Sequence, residues 1–350
     1  MDSGYLIGVF GTRQDLKSAF ESSIAKKNEA EGIIIYVRSD EGTKYSYLDD
    51  ASYPEKIQGY SRIASISDYA HYVFPTDGKL SSFDGELAVL LDAYSLKGSV
   101  EIMDSQVSAY QDMIKSTFNG VSISSYPLEE RSSKSSVMDL SRIKQNGAWP
   151  KNGTLIYIDR AFNVKGVGLV VLGFVLCGRV SVHDRLRLIP SSEKFAEVKG
   201  IQVNDEDQDS VGRGMRVGLS LKGVELKDLE KISWLDDGSF NLDRKLLIEF
   251  NQSRFYKNST EDRDIHVQCN GELIVARMTK AGDARMRAIE LQSPIPVWEE
   301  MRLCLIDLNG KPLRVMGGGI ARTGVVFYQR IISPSRIEGL ISRSFGSIFR

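Results

Sequence analysis

Apolar positions in the first part of the chain come in short runs. Tyr5-Leu6-Ile7-Gly8-Val9-Phe10 suits a buried strand, and comparable runs recur at 32–37, 45–48, 69–74, 99–103 and 121–124. Helical spacing fills the intervals, from Gly11-Thr12 to about 26 and then at 55–64, 85–94 and 107–117. Strands alternating with helices predict βαβ units and a mostly parallel sheet, so residues 1–150 read as an α/β domain. Its ligand site should lie at the carboxyl ends of the strands.

The pattern changes after Trp149-Pro150. Residues 155–232 hold β-branched apolar runs broken by Gly166, Gly168, Gly173, Gly178, Gly200, Gly214 and Gly218, the pattern of a small closed β-barrel. Val182-His183-Asp184 and Asn204-Asp205 carry the residues of tight turns. Strands resume at 246–250, 264–268, 272–278, 285–291, 302–306 and 313–319. The expected organisation is an α/β domain at 1–150, a second domain at 151–235 that forms a barrel (the second barrel, after its domain), a third domain at 240–322 that forms another (the third barrel) and a basic tail at 323–350.

Composition narrows the function classes only slightly. The chain is 350 residues long, with 42% hydrophobic and 26% charged residues and a formal net charge of -1, so any nucleic-acid site must be a local patch. Three scattered cysteines and three scattered histidines suggest neither a disulfide framework nor a zinc site. The longest apolar run, 167–177, is too short for a membrane span, which makes a cytoplasmic protein the expectation.

Two stretches carry chemistry. Gly11-Thr12-Arg13-Gln14-Asp15-Leu16-Lys17-Ser18 fits the phosphate-cradling spelling GxxxxGK[ST], except that Leu16 stands in place of the second glycine. A Cβ there crowds the phosphates and hinders the backbone conformation that lets N–H groups face them. Lys17 remains where a lysine meets the β and γ phosphates, and Ser18 where a hydroxyl meets magnesium.

The other stretch is in the second domain, at 151–235. Ile158-Asp159-Arg160-Ala161-Phe162, Val164-Lys165-Gly166, Ile201-Gln202-Val203, Gly214-Met215-Arg216-Val217-Gly218-Leu219 and Leu221-Lys222-Gly223-Val224 resemble the second domain of translational GTPases, and SelB, the selenocysteine-specific elongation factor, more than EF-Tu. Pro294 to Leu305, followed by Gly317-Gly318-Gly319, is similar to the third domain, where such a glycine run closes the barrel. The resemblance implies a P-loop-derived, G-domain-like α/β domain followed by two β-barrels of the EF-Tu domain II and III type. It also implies that Asp159, Arg160 and Arg216 line a pocket for the aminoacyl group of a charged tRNA. A salt-bridged barrel rim accounts for these three equally well.

The family's nucleotide signatures are degraded here. Where the family has DxPGH, the chain has Asp49-Asp50-Ala51-Ser52-Tyr53, losing the glycine that senses the γ-phosphate and the histidine that positions water, so hydrolysis should be lost or very slow. Ser52-Tyr53-Pro54 is similar to the SelB-like elongation factor EF-Pyl of methanogens. Asp104 stands where NKxD ends and retains a carboxylate for a guanine edge. Thr43 is the sole threonine between Ser18 and Asp49. Gly11, Lys17, Ser18, Asp49 and Asp104 are therefore the candidate nucleotide residues, Ser18 the candidate Mg2+ ligand, and GTP or GDP the nucleotide.

Three readings stay open: a monomeric elongation-factor-like protein that binds tRNA or other RNA on the ribosome, a working GTP-binding GTPase, and a module that docks on the ribosome or a factor without touching RNA. Arg277, Lys280, Arg285 and Arg287 either face RNA phosphates or form a solvated strand pair. The tail, with four arginines and one acid, is too short for the winged helices that SelB appends for messenger RNA.

Overall fold

The computed structural model describes residues 4–29, 33–105, 107–131, 140–144, 149–191, 193–282 and 285–323. The tail beyond Thr323 lies outside them, as do 137–139 and 145 of the segment 137–145, whose sequence suits one last helix; within it Leu140–Arg142 forms a 3-10 turn.

The first domain is a seven-stranded sheet of β1 (Gly4–Phe10), β2 (Lys26–Glu29), β3 (Ile34–Asp40), β4 (Thr43–Asp49), β5 (Tyr69–Val73), β6 (Gly98–Ile102) and β7 (Leu128–Glu130). Their order is β2-β3-β4-β1-β5-β6-β7, parallel from β4 onward and antiparallel across β2, β3 and β4. Central β1 is covered on both faces, hence its nearly unbroken apolar run. Helices α1 (Gln14–Ile24), α2 (Gln58–Ile66), α3 (Ser82–Ala93) and α4 (Val107–Thr117) fall in the intervals that the spacing predicts.

The strand expected at 121–124 is a correction. Asp92 accepts hydrogen bonds from the Ser122 N–H at 3.0 Å and the Ser122 hydroxyl at 2.7 Å, drawing Ser122–Ser125 into a 3-10 turn, and the last strand forms afterwards as β7.

The second domain contains β8 (Leu155–Val164), β9 (Gly168–Cys177), β10 (Arg179–Ser181), β11 (Arg185–Ile189), β12 (Phe195–Val203), β13 (Glu206–Gln208), β14 (Ser210–Gly212), β15 (Arg216–Lys222) and β16 (Trp234–Asp236). Pairing of β11 with β12 closes the ring β11-β16-β8-β9-β15-β12. His183 (φ 75), Asn204 (φ 50) and Asp205 (φ 65) occupy the left-handed region at the expected turns. The third domain is the closed barrel β17-β20-β19-β18-β21-β22, built from β17 (Asn241–Gln252), β18 (Arg263–Cys269), β19 (Glu272–Lys280), β20 (Met286–Val297), β21 (Arg302–Ile306) and β22 (Val315–Arg322).

The second barrel has its own apolar interior around Val171, Ile201 and Leu219. A larger core runs without a break from Leu87 and Leu91 of α3, past Tyr157, Phe174 and Trp234 of the second domain, into Ile265 and Leu303 of the third. Buried polar groups fix the relative placement of the domains. Ser61 donates to Gln268 Oε1 at 2.9 Å, Tyr94 to the Gln268 carbonyl at 2.8 Å, and Trp234 Nε1 to the Asn270 carbonyl at 2.7 Å. The Gly4 N–H meets the Arg213 carbonyl at 2.8 Å, and Arg213 pairs with buried Asp68.

Gly317 to Gly319 lies in β22, where it closes the third barrel against β17 and β21. A Cβ on Gly318 would stand 2.5 Å from the Ala93 carbonyl oxygen at the end of α3, so the glycine lets a strand touch a helix end. Gly318→Ala should lower unfolding stability by about 1–3 kcal/mol in chemical denaturation, the cost of overpacking a tight contact.

Candidate functional site

Gly11, Thr12 and Arg13 are all that connects β1 to α1, and Gln14 already opens the helix. Leu16, Lys17 and Ser18 are therefore helical, and no loop of the length that wraps a phosphate exists between strand and helix. Gly11, Lys17, Ser18 and Asp49 do come together, at the carboxyl ends of β1 and β4.

Inside this group Lys17 is 2% exposed and turned inward, with Nζ 2.6 Å from Asp49 Oδ1, itself 0% exposed. The Tyr60 hydroxyl of α2 also meets the lysine Nζ, donates to Asp49 Oδ1 at 3.0 Å and lies 3.3 Å from the Gly11 carbonyl. The Gln14 amide nitrogen stands 3.3 Å from both Ser18 Oγ and Asp49 Oδ2, between the two oxygens. Beneath them Glu21 is fully buried, and burial, with Asp49 adding to it and Lys17 opposing, pushes its carboxyl up to about 8.

Asp104 lies apart from these, after β6, where it accepts a hydrogen bond from the Tyr110 hydroxyl at 3.1 Å; the Tyr110 ring packs at a tilt against Phe74 with ring centroids 5.5 Å apart. Thr43 opens β4 at the end opposite Asp49, opposed to Asp40 across the hairpin. Between α1 and β3 the chain forms β2, an edge strand paired with β3.

Asp159, Arg160 and Arg216 converge. In β8 the register slips between Ile158 and Arg160, which face Gly173 and Leu172, so Asp159 is the extra residue of a β-bulge. A bulge re-aims a side chain, and this one turns the carboxylate back across β9 toward β15. Asp159 Oδ2 lies 3.6 Å from Arg216 Nη2 and 3.9 Å from Arg160 Nε. Arg216 is also held over the buried Phe174 ring, 5.6 Å from its centroid. The three form one charged group of two guanidinium ions around a carboxylate, with Arg160 the most open at 32% side-chain exposure.

The basic strip of the third barrel is neutralised locally. Arg277 pairs with Asp264 at 3.0 Å, Lys280 with Glu261 and Arg285 with Glu249 at 3.6 Å, while Arg287 is 7% exposed and lies near the Phe250 ring. Among the described residues, no helix is long and apolar enough to cross a membrane, and no group of three or more His, Cys, Asp or Glu side chains could hold a metal ion.

A G-domain-like α/β domain followed by two closed six-stranded barrels is the architecture of the translational elongation factors. The chain is similar to SelB proteins in fold and over part of its sequence. SelB of Methanococcus maripaludis, solved in complex with the GTP analogue GppNHp, matches it with a TM-score of 0.77 at 19% identity over 92% of this chain and 80% of that one. The selenocysteine-specific elongation factor of Methanocaldococcus jannaschii is 28% identical over 200 residues, 50% of this chain and 42% of that protein. The chain thus aligns with less than half of that factor's length. An uncharacterized protein of Methanocaldococcus jannaschii is 26% identical over 320 residues, 90% of this chain and 99% of that one. No family model matches the chain.

Sequence reasoning missed Gln14, Glu21, Tyr60 and Tyr110, because each acts through a partner that only the fold brings near. Two outcomes test the geometry. Lys17→Met should cost about 3–5 kcal/mol in denaturation of the nucleotide-free protein, since Asp49 would be left buried and unpaired; a lysine waiting in solvent for phosphate would cost little. A carboxyl whose folded pKa is raised from 4.5 to about 8 stabilises the fold fully below 4.5 and loses that contribution as pH rises through 8. Urea midpoints should therefore fall between about pH 5 and 8, by at most about 1.4 kcal/mol per pH unit, and Glu21→Gln should flatten the fall.

Proposed function

We propose that this protein is an elongation-factor-like binder of aminoacyl-tRNA, acting with the ribosome, in which the second barrel holds the charged end of the RNA and the first domain no longer cycles through nucleotide states. The observation that carries it is the convergence of Asp159, Arg160 and Arg216 on a bulged strand, two cations and one anion held at 3.6–3.9 Å. Such a group offers charge-assisted bonds to both a polar side chain and an α-amino or carbonyl group, each worth about 1.5–3 kcal/mol when well made. The sequence similarity to a selenocysteine-specific elongation factor supports the same reading.

The nucleotide half of the proposal rests on fit. A triphosphate needs a free ammonium, a loop of N–H donors and an oxygen for magnesium. In this chain the Lys17 ammonium is taken by Asp49 and Tyr60, the loop is replaced by a helix from Gln14, and the Gln14 amide stands between Ser18 and Asp49. Tyr110 stands 3.1 Å from one oxygen, Oδ2, of the Asp104 carboxylate that would read guanine. These residues do not fit GTP with Mg2+, and no hydrolytic step is assigned to them. Leu16→Gly alone should restore no affinity, because Leu16 lies inside α1.

Alanine at Asp159, Arg160 and Arg216 should weaken charged tRNA by about 10- to 100-fold each while moving uncharged tRNA much less, as read by filter binding. Equal losses for the two RNAs would remove the pocket. Calorimetry should find no GTP or GDP affinity tighter than about millimolar, and micromolar binding would reinstate a nucleotide switch.

A further inference from the structure

The segment after Asp49 is where the related factors would carry a phosphate-sensing loop, and in this chain it is tied down by the third barrel. Arg314, in the turn that leads into β22, reaches back to α3. Its N–H donates to Glu86 Oε1 at 2.7 Å, its Nε lies 3.1 Å from Oε1 and 3.2 Å from Oε2, and its Nη2 lies 2.5 Å from Oε2. The same guanidinium donates to the Pro54 carbonyl at 3.0 Å and the Glu55 carbonyl at 3.2 Å.

Glu86 is 1% exposed. The Tyr53 hydroxyl, which donates to the Phe83 carbonyl at 2.7 Å, lies 3.2 Å from Glu86 Oε2. Tyr53 lies under the Arg314 guanidinium and against Tyr60, with centroids 5.0 Å apart, and Tyr60 is the residue that meets Lys17. One planar cation therefore joins the third barrel, α3 and the 50–57 segment through a fork that only arginine can make.

A segment that reports the γ-phosphate must be released when the phosphate leaves. Here every fastening is a side chain of the protein, so none departs on hydrolysis. We propose that Arg314 and Glu86 lock the 50–57 segment and the first domain to the third barrel permanently, fixing the face that the three domains present to a partner whether GTP, GDP or neither is offered.

The experiment follows amide hydrogen exchange of the full-length protein without nucleotide, with GTP and Mg2+, and with GDP and Mg2+. No RNA is present, so its outcome is separate from that of the tRNA proposal. Protection of 50–57 and α3 should be the same in all three conditions, and Arg314→Ala should speed exchange of 50–57 by about tenfold or more while β17 and β20 stay protected. Nucleotide-dependent exchange in the wild-type segment, or unchanged exchange in the variant, would overturn the proposal. If Arg314→Ala loses the barrel as well, Arg314→Lys keeps the charge and removes the fork; faster exchange confined to 50–57 then supports the lock, and unchanged exchange overturns it. Nucleotide binding in calorimetry with no change in protection would contradict the closed nucleotide site but leave the lock standing.

Discussion

A buried ammonium must be matched by a buried carboxylate, and the rest of the first domain is arranged around one such pair. With Lys17 2% and Asp49 0% exposed and 2.6 Å between them, neither charge is offered to solvent. Removing a charge pair from water is expensive and the attraction repays it only when further hydrogen bonds complete the geometry. Tyr60 and Gln14 supply those bonds. The lysine of the Gly11–Ser18 stretch is thus matched by a carboxylate of the chain itself.

The second barrel shows the opposite economy. Its charged group is assembled by an inserted residue, which breaks the regular inward and outward alternation of β8 and brings Asp159 toward Arg216. A strand without that insertion would send the side chain to a different face. Phe174 supports the guanidinium from beneath, so the cation is oriented by packing as well as by charge.

Much of the architecture was legible from periodicity and turn chemistry. The alternating runs of the first domain, the glycine-broken runs of the barrels and the turn at Asn204-Asp205 all reflect local rules, and local rules are carried by neighbouring residues. The strand expected at 121–124 failed because Asp92, 30 positions away from Ser122, captured its backbone. The candidate residues Lys17, Asp49, Asp159 and Arg216 were visible as spellings. Tyr60 was not, since it lies 43 positions from Lys17, nor was the pair of Arg314 with Glu86, 228 positions apart, and no spacing in the chain announces either contact.

The apolar core described above does not respect the boundary between the first and third domains. Leu87 and Leu91 share it with Ile265 and Leu303, whereas the second barrel also keeps an interior of its own. Shared burial of this kind couples the melting of the two ends of the polypeptide, because opening either one wets the other. The first domain cut free would show an oily helical flank to water, and it would seek that cover in aggregates.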